Sequence, residues 1–332
     1  MPVDSAPAPL PLGQDVFALD TRMSGYEGIT AAYAILGERP CLIETGTAAS
    51  APVVAAALEG LGVGPDDLAV LVVTHIHLDH AGGVGDLARL YPKARIVVQE
   101  RGARHLADPT RLMASARLVF GSVLDDVFGP LAPTSAERID AIGAYGEIDL
   151  GGGRTLQAHH APGHASHHIG LVDSATGDLY VGDAAGIWIP ETQDLRPTTP
   201  PPDFDLALAL DTLDRFRSYR PTRLLFSHFG PVCEVDEVLQ RSAEELRLWV
   251  DLVSEARSQG LDAEHTVTMV RARTADRYRA FTDDPALVAK FEHLNADAAN
   301  IAGILRALDR AESAQSTGSG TPEWGGSSKA PA

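Results

Sequence analysis

At 332 residues, 45% hydrophobic and 22% charged, the chain has the size of one large domain with an appended piece and the make-up of a globular protein. Its formal net charge of −18 repels phosphate backbones, so no nucleic-acid partner is expected. No apolar run approaches membrane-spanning length, so no membrane partner is expected either.

Residues 1–15 read as a flexible lead. Residues 1–13 are rich in Pro and Ala and lack Lys and Arg, so no secretory signal is expected and a cytoplasmic location is the default. Residues 30–36 and 40–44 read as strands around the turn Gly37-Glu38-Arg39. Residues 51–61 read as a helix, with Ser50 as its N-cap and Gly62 near its end. The apolar run 68–73 reads as a buried strand, placed at 69–74. Helix is expected over 85–90, strand over 94–99, and mostly helix over 111–128. Strands follow at 155–160 and at 168–173 and 178–181, the latter two around Ser174-Ala175-Thr176-Gly177. Residues 205–218 read as an amphipathic helix, with Leu206, Leu210, Leu213 and Phe216 at helical spacing. Two runs of strands, each followed by helix, imply two sheets packed face to face with helices outside. A catalytic domain is therefore expected over 16–232. A C-terminal helical extension over 233–312 holds helices at 236–259, 265–281 and 286–312. Residues 313–332, rich in Ser, Gly, Thr and Pro, read as a disordered tail. Cys41 and Cys233 belong to no Cys-x-x-Cys pair and read as buried, reduced thiols.

The strand at 69–74 ends in His75-Ile76-His77-Leu78-Asp79-His80. Three imidazoles and a carboxylate thus fall within six residues at a strand end, a common place for site residues. Gly82-Gly83 follows and reads as a sharp turn. Neutral imidazole and carboxylate are the ligand set of zinc, iron or manganese. The plain alternative is a polar loop with scattered histidines. Further along, His164 sits in Ala161-Pro162-Gly163-His164, Asp183 ends Leu179-Tyr180-Val181-Gly182-Asp183, and His228 ends Leu224-Leu225-Phe226-Ser227-His228. A lone His after a strand is more often a hydrogen-bonded core or surface residue. In this order and together, they signal a metal site.

With Thr74-His75-Ile76-His77-Leu78-Asp79-His80-Ala81-Gly82-Gly83, Ala161-Pro162-Gly163-His164, Gly182-Asp183 and Ser227-His228-Phe229-Gly230-Pro231, the chain resembles the metallo-β-lactamase-fold hydrolase superfamily, in its glyoxalase II or lactonase-like branch. Leu42-Ile43-Glu44-Thr45-Gly46 also looks like that family's N-terminal strand-turn motif, with Glu where the family more often has Asp. The resemblance implies an α/β fold of αββα type with the helical extension added. It implies that His75, His77 and His164 hold one ion, that Asp79, His80 and His228 hold another, and that Asp183 bridges them. The implied cofactors are two divalent ions, zinc first, with iron or manganese as alternatives. Asp79 would also orient the nucleophile, a shared hydroxide, and so act catalytically. The implied activity is hydrolysis of a small ester, thioester or lactone. The alternatives are a phosphodiesterase or phosphotriesterase, and an iron-dependent persulfide dioxygenase. The partner is then a small-molecule substrate, and the extension either covers the cleft or forms a homodimer.

Other residues carry two readings each. Glu44 is a hydrogen-bond acceptor for a ligand's spare N–H or a loop cap. One of His159, His160, His167 and His168 supports a ligand or touches substrate, or none does. His105, His265 and His293 are read as structural. Trp188 walls the cleft or packs under the extension. Arg271, Arg273, Arg277 and Arg279 attract an anionic substrate or form a solvated helix face.

Overall fold

Alternation along the strands sorts side chains onto two faces, and that sorting builds the layers. The computed structural model describes residues 7–291, 294 and 297–318. Its first sheet contains β1 (Leu10–Gly13), β2 (Val16–Asp20), β3 (Ala31–Ile35), β4 (Cys41–Ile43), β5 (Val70–Val72), β6 (Arg95–Gln99) and β7 (Ile139–Ile142), in that order. The pairs from β1 to β4 are antiparallel; those from β4 to β7 are parallel. Between these strands lie α1 (Ala51–Gly60), α2 (Leu78–Ala81), α3 (Val84–Leu90), α4 (Glu100–Ala107) and α5 (Thr110–Phe120). The second sheet begins with β8 (Tyr145–Asp149), β9 (Thr155–His160), β10 (Ile169–Asp173) and β11 (Leu179–Gly182). A separate ribbon, β12 (Ile187–Ile189) with β13 (Asp194–Arg196), precedes α6 (Leu206–Ser218), β14 (Leu224–Phe226) and β15 (Gly230–Val232). The order across this sheet is β15-β14-β11-β10-β9-β8, and β11 and β14 run parallel.

The inner faces meet in one core, where Ile43, Val70, Val72, Leu171 and Leu225 are buried together. Tyr33 and Tyr180 meet edge to face there at 5.3 Å. The alternate residues face outward. Leu42, Leu71 and Val73 pack against Val54 and Leu58 of α1 and Leu87 of α3. Leu179, Val181, Leu224 and Phe226 pack against Leu213 and Phe216 of α6. This is the expected sandwich of two mixed sheets with helices outside.

The C-terminal helices extend the second outer layer. They are α7 (Val235–Ser258), α8 (Ala263–Thr274), α9 (Arg279–Thr282), α10 (Pro285–Phe291) and α11 (Asp297–Gly318). Val238, Trp249 and Val253 of α7 share a core with Ile301 and Ile304 of α11. Among the described residues no helix is long and apolar enough to cross a membrane.

Several expectations are corrected. Leu10–Gly13 form an edge strand inside the expected flexible lead, because they pair with β2. Ser50 stands at the N-cap position of α1 as expected but makes no side-chain cap; Thr47 caps the 3-10 turn before it, its Oγ1 accepting the Ser50 N–H at 3.2 Å. The helix expected over 111–128 stops at Phe120, where Gly121 turns with φ 57°, and a π-helical turn follows at Leu124–Phe128. The helix expected over 265–281 breaks into α8 and α9. α11 continues to Gly318, past the start of the expected tail. Both cysteines are free, but only Cys41 is buried; Cys233 is exposed. His293, residues 1–6 of the lead and residues 319–332 of the tail lie outside the described residues.

Trp249 is 1% exposed, and its indole N–H donates to the Tyr278 hydroxyl at 3.0 Å. It ties α7 to the segment between α8 and α9. Trp249→Ala is expected to cost about 3–5 kcal/mol of stability. Denaturant unfolding followed by circular dichroism measures it, and a loss below about 1 kcal/mol would contradict this packing role.

Candidate metal centre

Each candidate ligand leaves a rigid element. β5 delivers the chain through Thr74 to His75, His77 is the N-cap of α2, and Asp79 and His80 lie on that helix. His164 lies between β9 and β10, Asp183 follows β11, and His228 follows β14. Because β11 and β14 are parallel neighbours, Asp183 and His228 emerge side by side. Gly182 makes this possible. Its φ is +53°, and a Cβ there would lie 2.4 Å from His168 Nε2 and 2.6 Å from Thr74 Oγ1. Gly82, read as a turn residue, instead has helical φ −57°. It is needed for close approach, since a Cβ would lie 2.8 Å from the Ala48 backbone N.

All seven sequence-predicted ligands come together, in three overlapping groups: His75, His77 and His164; His75, His80 and Asp183; and Asp79, His80 and His228. His77 Nδ1 lies 2.9 Å from His75 Nε2 and 3.0 Å from His164 Nε2. His80 Nε2 lies 3.1 Å from His228 Nε2, and each of these lies 3.4 Å from Asp79 Oδ2. Asp183 faces both ways. Its Oδ1 is 3.2 Å from His80 Nε2 and 3.2 Å from His228 Nε2, while its Oδ2 is 3.6 Å from His164 Nε2.

These spacings suit a cation. A tetrahedral ion about 2.0–2.1 Å from each donor sets donors about 3.3 Å apart. Two ring nitrogens lie 3.2 Å from the buried Asp183 Oδ1 without a well-aligned hydrogen bond. A buried carboxylate oxygen so placed is matched by a metal ion. The clustered His and Asp residues therefore form a candidate metal site.

The far sides of the rings are held as a ligand's should be. His164 Nδ1 donates to the Thr198 carbonyl at 3.1 Å, and His228 Nδ1 donates to the Ile29 carbonyl at 2.9 Å. His75 Nδ1 donates to Thr74 Oγ1 at 3.0 Å, which donates in turn to Glu44 Oε1 at 2.5 Å. The same Glu44 oxygen is 3.5 Å from His80 Nδ1. Each contact leaves Nε2 for the centre. Glu44 is fully buried with φ 67°, so a residue in a strained conformation stands behind two ligands. Glu44 thus supports the site through Thr74 rather than by accepting a ring N–H directly.

His168 is the supporting residue that sequence reasoning left among four flanking histidines. Its Nε2 accepts the Asp183 backbone N–H at 3.1 Å, and its ring stacks on His75 at 5.0 Å. His159 stacks on Tyr219, and His160 Nε2 donates to the Ser166 carbonyl, so both serve the fold. His265 lies far along the chain in α8, paired with Asp262. Arg271, Arg273, Arg277 and Arg279 each pair with a carboxylate: Asp297, Glu255, Glu245 and Asp276. Trp188 packs under Arg241 of α7, with the guanidinium 5.6 Å from its ring. Its neighbour Ile187 reaches the cleft instead.

A cavity of ≈ 740 Å³ opens over the centre and is lined by His77, Asp79, His164, His167 and Asp183. Leu294, Ala299 and Asn300 also line it, so residues beyond 232 do shape the cleft. Asn300 does more. Its Oδ1 accepts the Thr199 N–H at 2.7 Å and its Nδ2 donates to the Pro197 carbonyl at 3.2 Å. That loop carries Thr198, whose carbonyl holds His164 and whose Oγ1 donates to the Asp183 carbonyl at 2.8 Å.

The two halves differ electrostatically. Burial pushes His75, His77 and His164 down, so their rings are neutral with lone pairs available. Burial opposes charge on His80 and His228 too, but Asp183 and Asp79 override it. His80 rises well above its ordinary value and His228 is pushed up to about 9. Burial likewise raises Asp79 and Asp183, yet the charges of His80 and His228 hold both carboxyls well below their usual range. In metal-free protein near neutral pH, His80 and His228 thus carry protons that a cation must displace. Adding zinc to chelator-treated protein at pH 7 is expected to release protons, with release shrinking as pH passes about 9. Calorimetry in buffers of different ionisation enthalpy measures this. Zinc uptake without proton release would contradict the charged state assigned to this pair.

The family profile of the Metallo-beta-lactamase superfamily matches residues 25–228. The chain is 31% identical over 195 residues to the metallo-beta-lactamase fold-containing protein ST1585 of Sulfurisphaera tokodaii, spanning 56% of this chain and 72% of that protein. It is 23% identical over 214 residues to the probable metallo-hydrolase MJ0888 of Methanocaldococcus jannaschii, spanning 64% of this chain and 92% of that one. Among solved structures, ST1585 superposes with a TM-score of 0.61 and 26% identity, covering 70% of this chain and 86% of that chain. The metallo-beta-lactamase family protein TTHA1429 of Thermus thermophilus gives 0.63 at 19% identity, over 91% and 95%, a likeness of fold. With its motifs, its sandwich and more than half its length matched, the chain belongs to the metallo-beta-lactamase superfamily.

Proposed function

We propose that this protein is a metal-dependent hydrolase that cleaves an ester, thioester or lactone, in the manner of the glyoxalase II or lactonase-like branch. Seven ligands would hold two divalent ions, zinc first: His75, His77 and His164 on one side, Asp79, His80 and His228 on the other, and Asp183 between. One observation carries the reading. The two Asp183 oxygens face different ligand groups, Oδ1 toward His80 and His228 and Oδ2 toward His164. The description of the MJ0888 relative as a metallo-hydrolase supports it.

Ions held there supply Lewis acidity and lower the pKa of water toward about 7. The protein's own groups do the rest. Asp79 lines the cavity in its ionised form, where it holds a hydrogen of the attacking nucleophile and carries a proton toward the leaving group. His167 also lines the cavity, and burial lowers it to about 4, so its ring is neutral at pH 7. Its Nδ1 accepts the Ile76 N–H at 3.4 Å, which leaves Nε2–H as a donor for a substrate oxygen. Leu294, Ala299 and Asn300 close the cleft from the extension and limit water around the reacting bond.

Elemental analysis of protein purified without chelator should approach about two metal equivalents per chain. Asp183→Ala should lower that content and reduce hydrolysis at least a hundred-fold, roughly the upper end of what a supporting residue costs. The assay is a panel of lactone, thioester, phosphodiester and persulfide substrates. One equivalent with oxygen uptake on a persulfide would replace this reading with the dioxygenase, and turnover of the phosphodiester alone would replace it with a phosphodiesterase.

A further inference from the structure

The walls of the ≈ 740 Å³ cavity are not uniform. One wall carries Arg101 and Arg104 of α4 and Arg111 at the start of α5. Arg101 and Arg104, three positions apart, share a helix face. Among the described residues, none of these three guanidiniums has a carboxylate within ion-pair distance; Arg104 Nε donates to His105 Nε2 at 3.2 Å. Some exposed arginines elsewhere are paired, as in Arg89–Asp86 and Arg117–Asp125, and others, such as Arg220 and Arg247, form no ion pair among the described residues. In a chain of net charge −18, three guanidiniums without a carboxylate partner leave charged hydrogen-bond donors in this cleft for an anion. Burial, then Arg104 and Arg111, lower the pKa of His105, which lies in the same wall. Asp79, Glu100, Asp183 and Asp203 also line the cavity, but none of them forms an ion pair with these arginines. Asp203 accepts from the Ser166 N–H and Oγ–H, Asp108 accepts from Thr110, and Glu100 lines the cavity without pairing with an arginine.

The adjoining surface has another character. α5 turns Arg111, Leu112, Ala116 and Phe120 toward the cavity as one helical stripe. From Arg111 to Phe120 the helix rises about 13 Å. Phe128, whose ring lies 4.8 Å from that of Phe120, and Leu294 widen the apolar end. A cation cluster at one end of an apolar stripe matches a ligand with an anionic group and a hydrocarbon portion. We infer that the substrate is an amphiphilic anion, its carboxylate or phosphate held by Arg101, Arg104 and Arg111 and its alkyl or aryl portion laid along α5. For the reaction this rests on the hydrolase reading; for binding it does not.

The test is calorimetric titration of the protein as purified with 1-octanesulfonate, octyl phosphate and octyl β-glucoside, each below its micelle-forming concentration. Sulfonate is anionic but a poor metal ligand, so it isolates the arginines from the metal centre. Octanesulfonate is expected to bind about ten-fold or more tightly than the neutral glucoside, with the preference falling as salt rises. The R101Q/R104Q/R111Q variant should lose that preference and keep its glucoside affinity. Its circular dichroism melt checks the fold. If the triple variant does not fold, the three single variants should each show a partial loss. Equal binding of sulfonate and glucoside overturns the inference, as does a preference that survives the substitutions. Tight octyl phosphate binding with weak sulfonate binding overturns it too, since that assigns the anion to the metal. Sulfonate selectivity in a protein that turns over nothing in the hydrolysis panel would keep this inference and remove the hydrolase reading. Turnover of neutral esters without sulfonate selectivity would do the reverse.

Discussion

The site depends on one constraint: a single carboxylate, Asp183, must sit between two groups of histidines while buried at 5% exposure. A lone ionised carboxylate is costly to bury. Here the cost is offset locally. His80 and His228 stand 3.2 Å from one oxygen, and His168 accepts the residue's own backbone N–H. Gly182 lets β11 end close enough to His168 and Thr74 for those contacts to exist. The parallel pairing of β11 with β14 then fixes where His228 stands relative to Asp183. The position of one oxygen pair thus follows from sheet topology, a glycine and a buried histidine acting together.

The same logic extends outward through the supports. Glu44 comes from the first sheet and reaches His75 through Thr74, approaches His80 and accepts from Ser227 Oγ at 3.2 Å. Ser227 precedes His228 in the second sheet, so one carboxylate links ligands from both halves of the sandwich. A shift of one sheet against the other would break these contacts in both halves at once. Strain at Glu44, with its φ of 67°, is held in place by this set of partners.

The candidate ligands were legible in the sequence because their chemistry is local. Dense His and Asp at strand ends is a pattern that survives without knowing the fold, and all seven residues meet. The core strands were legible for a similar reason, since Leu71 and Leu42 sit in continuous apolar runs buried on both faces. The edges were not. β7 and β8 have mostly exposed side chains, so their sequences lack a strong alternating signal. His168 was hidden among four similar histidines, because its role depends on contacts with Asp183 and His75, which lie far from it in sequence. The arginines show the sharpest contrast. The visible basic run in the extension is neutralised by carboxylates that, apart from Asp276, are distant in sequence, while the unpaired arginines lie in and beside α4, a helix with no clear start signal. Charge counted along a chain does not reveal which charges tertiary contacts will cancel.

The extension is therefore more than a cover. Asn300 on α11 holds the backbone of residues 197–199, and that loop holds the far side of His164 and the carbonyl of Asp183. The Arg196–Asp297 ion pair fastens the same loop to the same helix. Among the candidate ligands, His80 and His228 are thus oriented by the sandwich alone, through Glu44 and Ile29, while His164 leans in part on helices added beyond it. A ring held by a single carbonyl turns if that carbonyl moves, so the geometry around His164 depends on how firmly α11 is docked. Its docking in turn rests on the apolar contacts of Ile301 and Ile304 with the outer layer of the second sheet. Burial of aliphatic side chains on the far side of the molecule thereby bears on the angle of an imidazole at its centre.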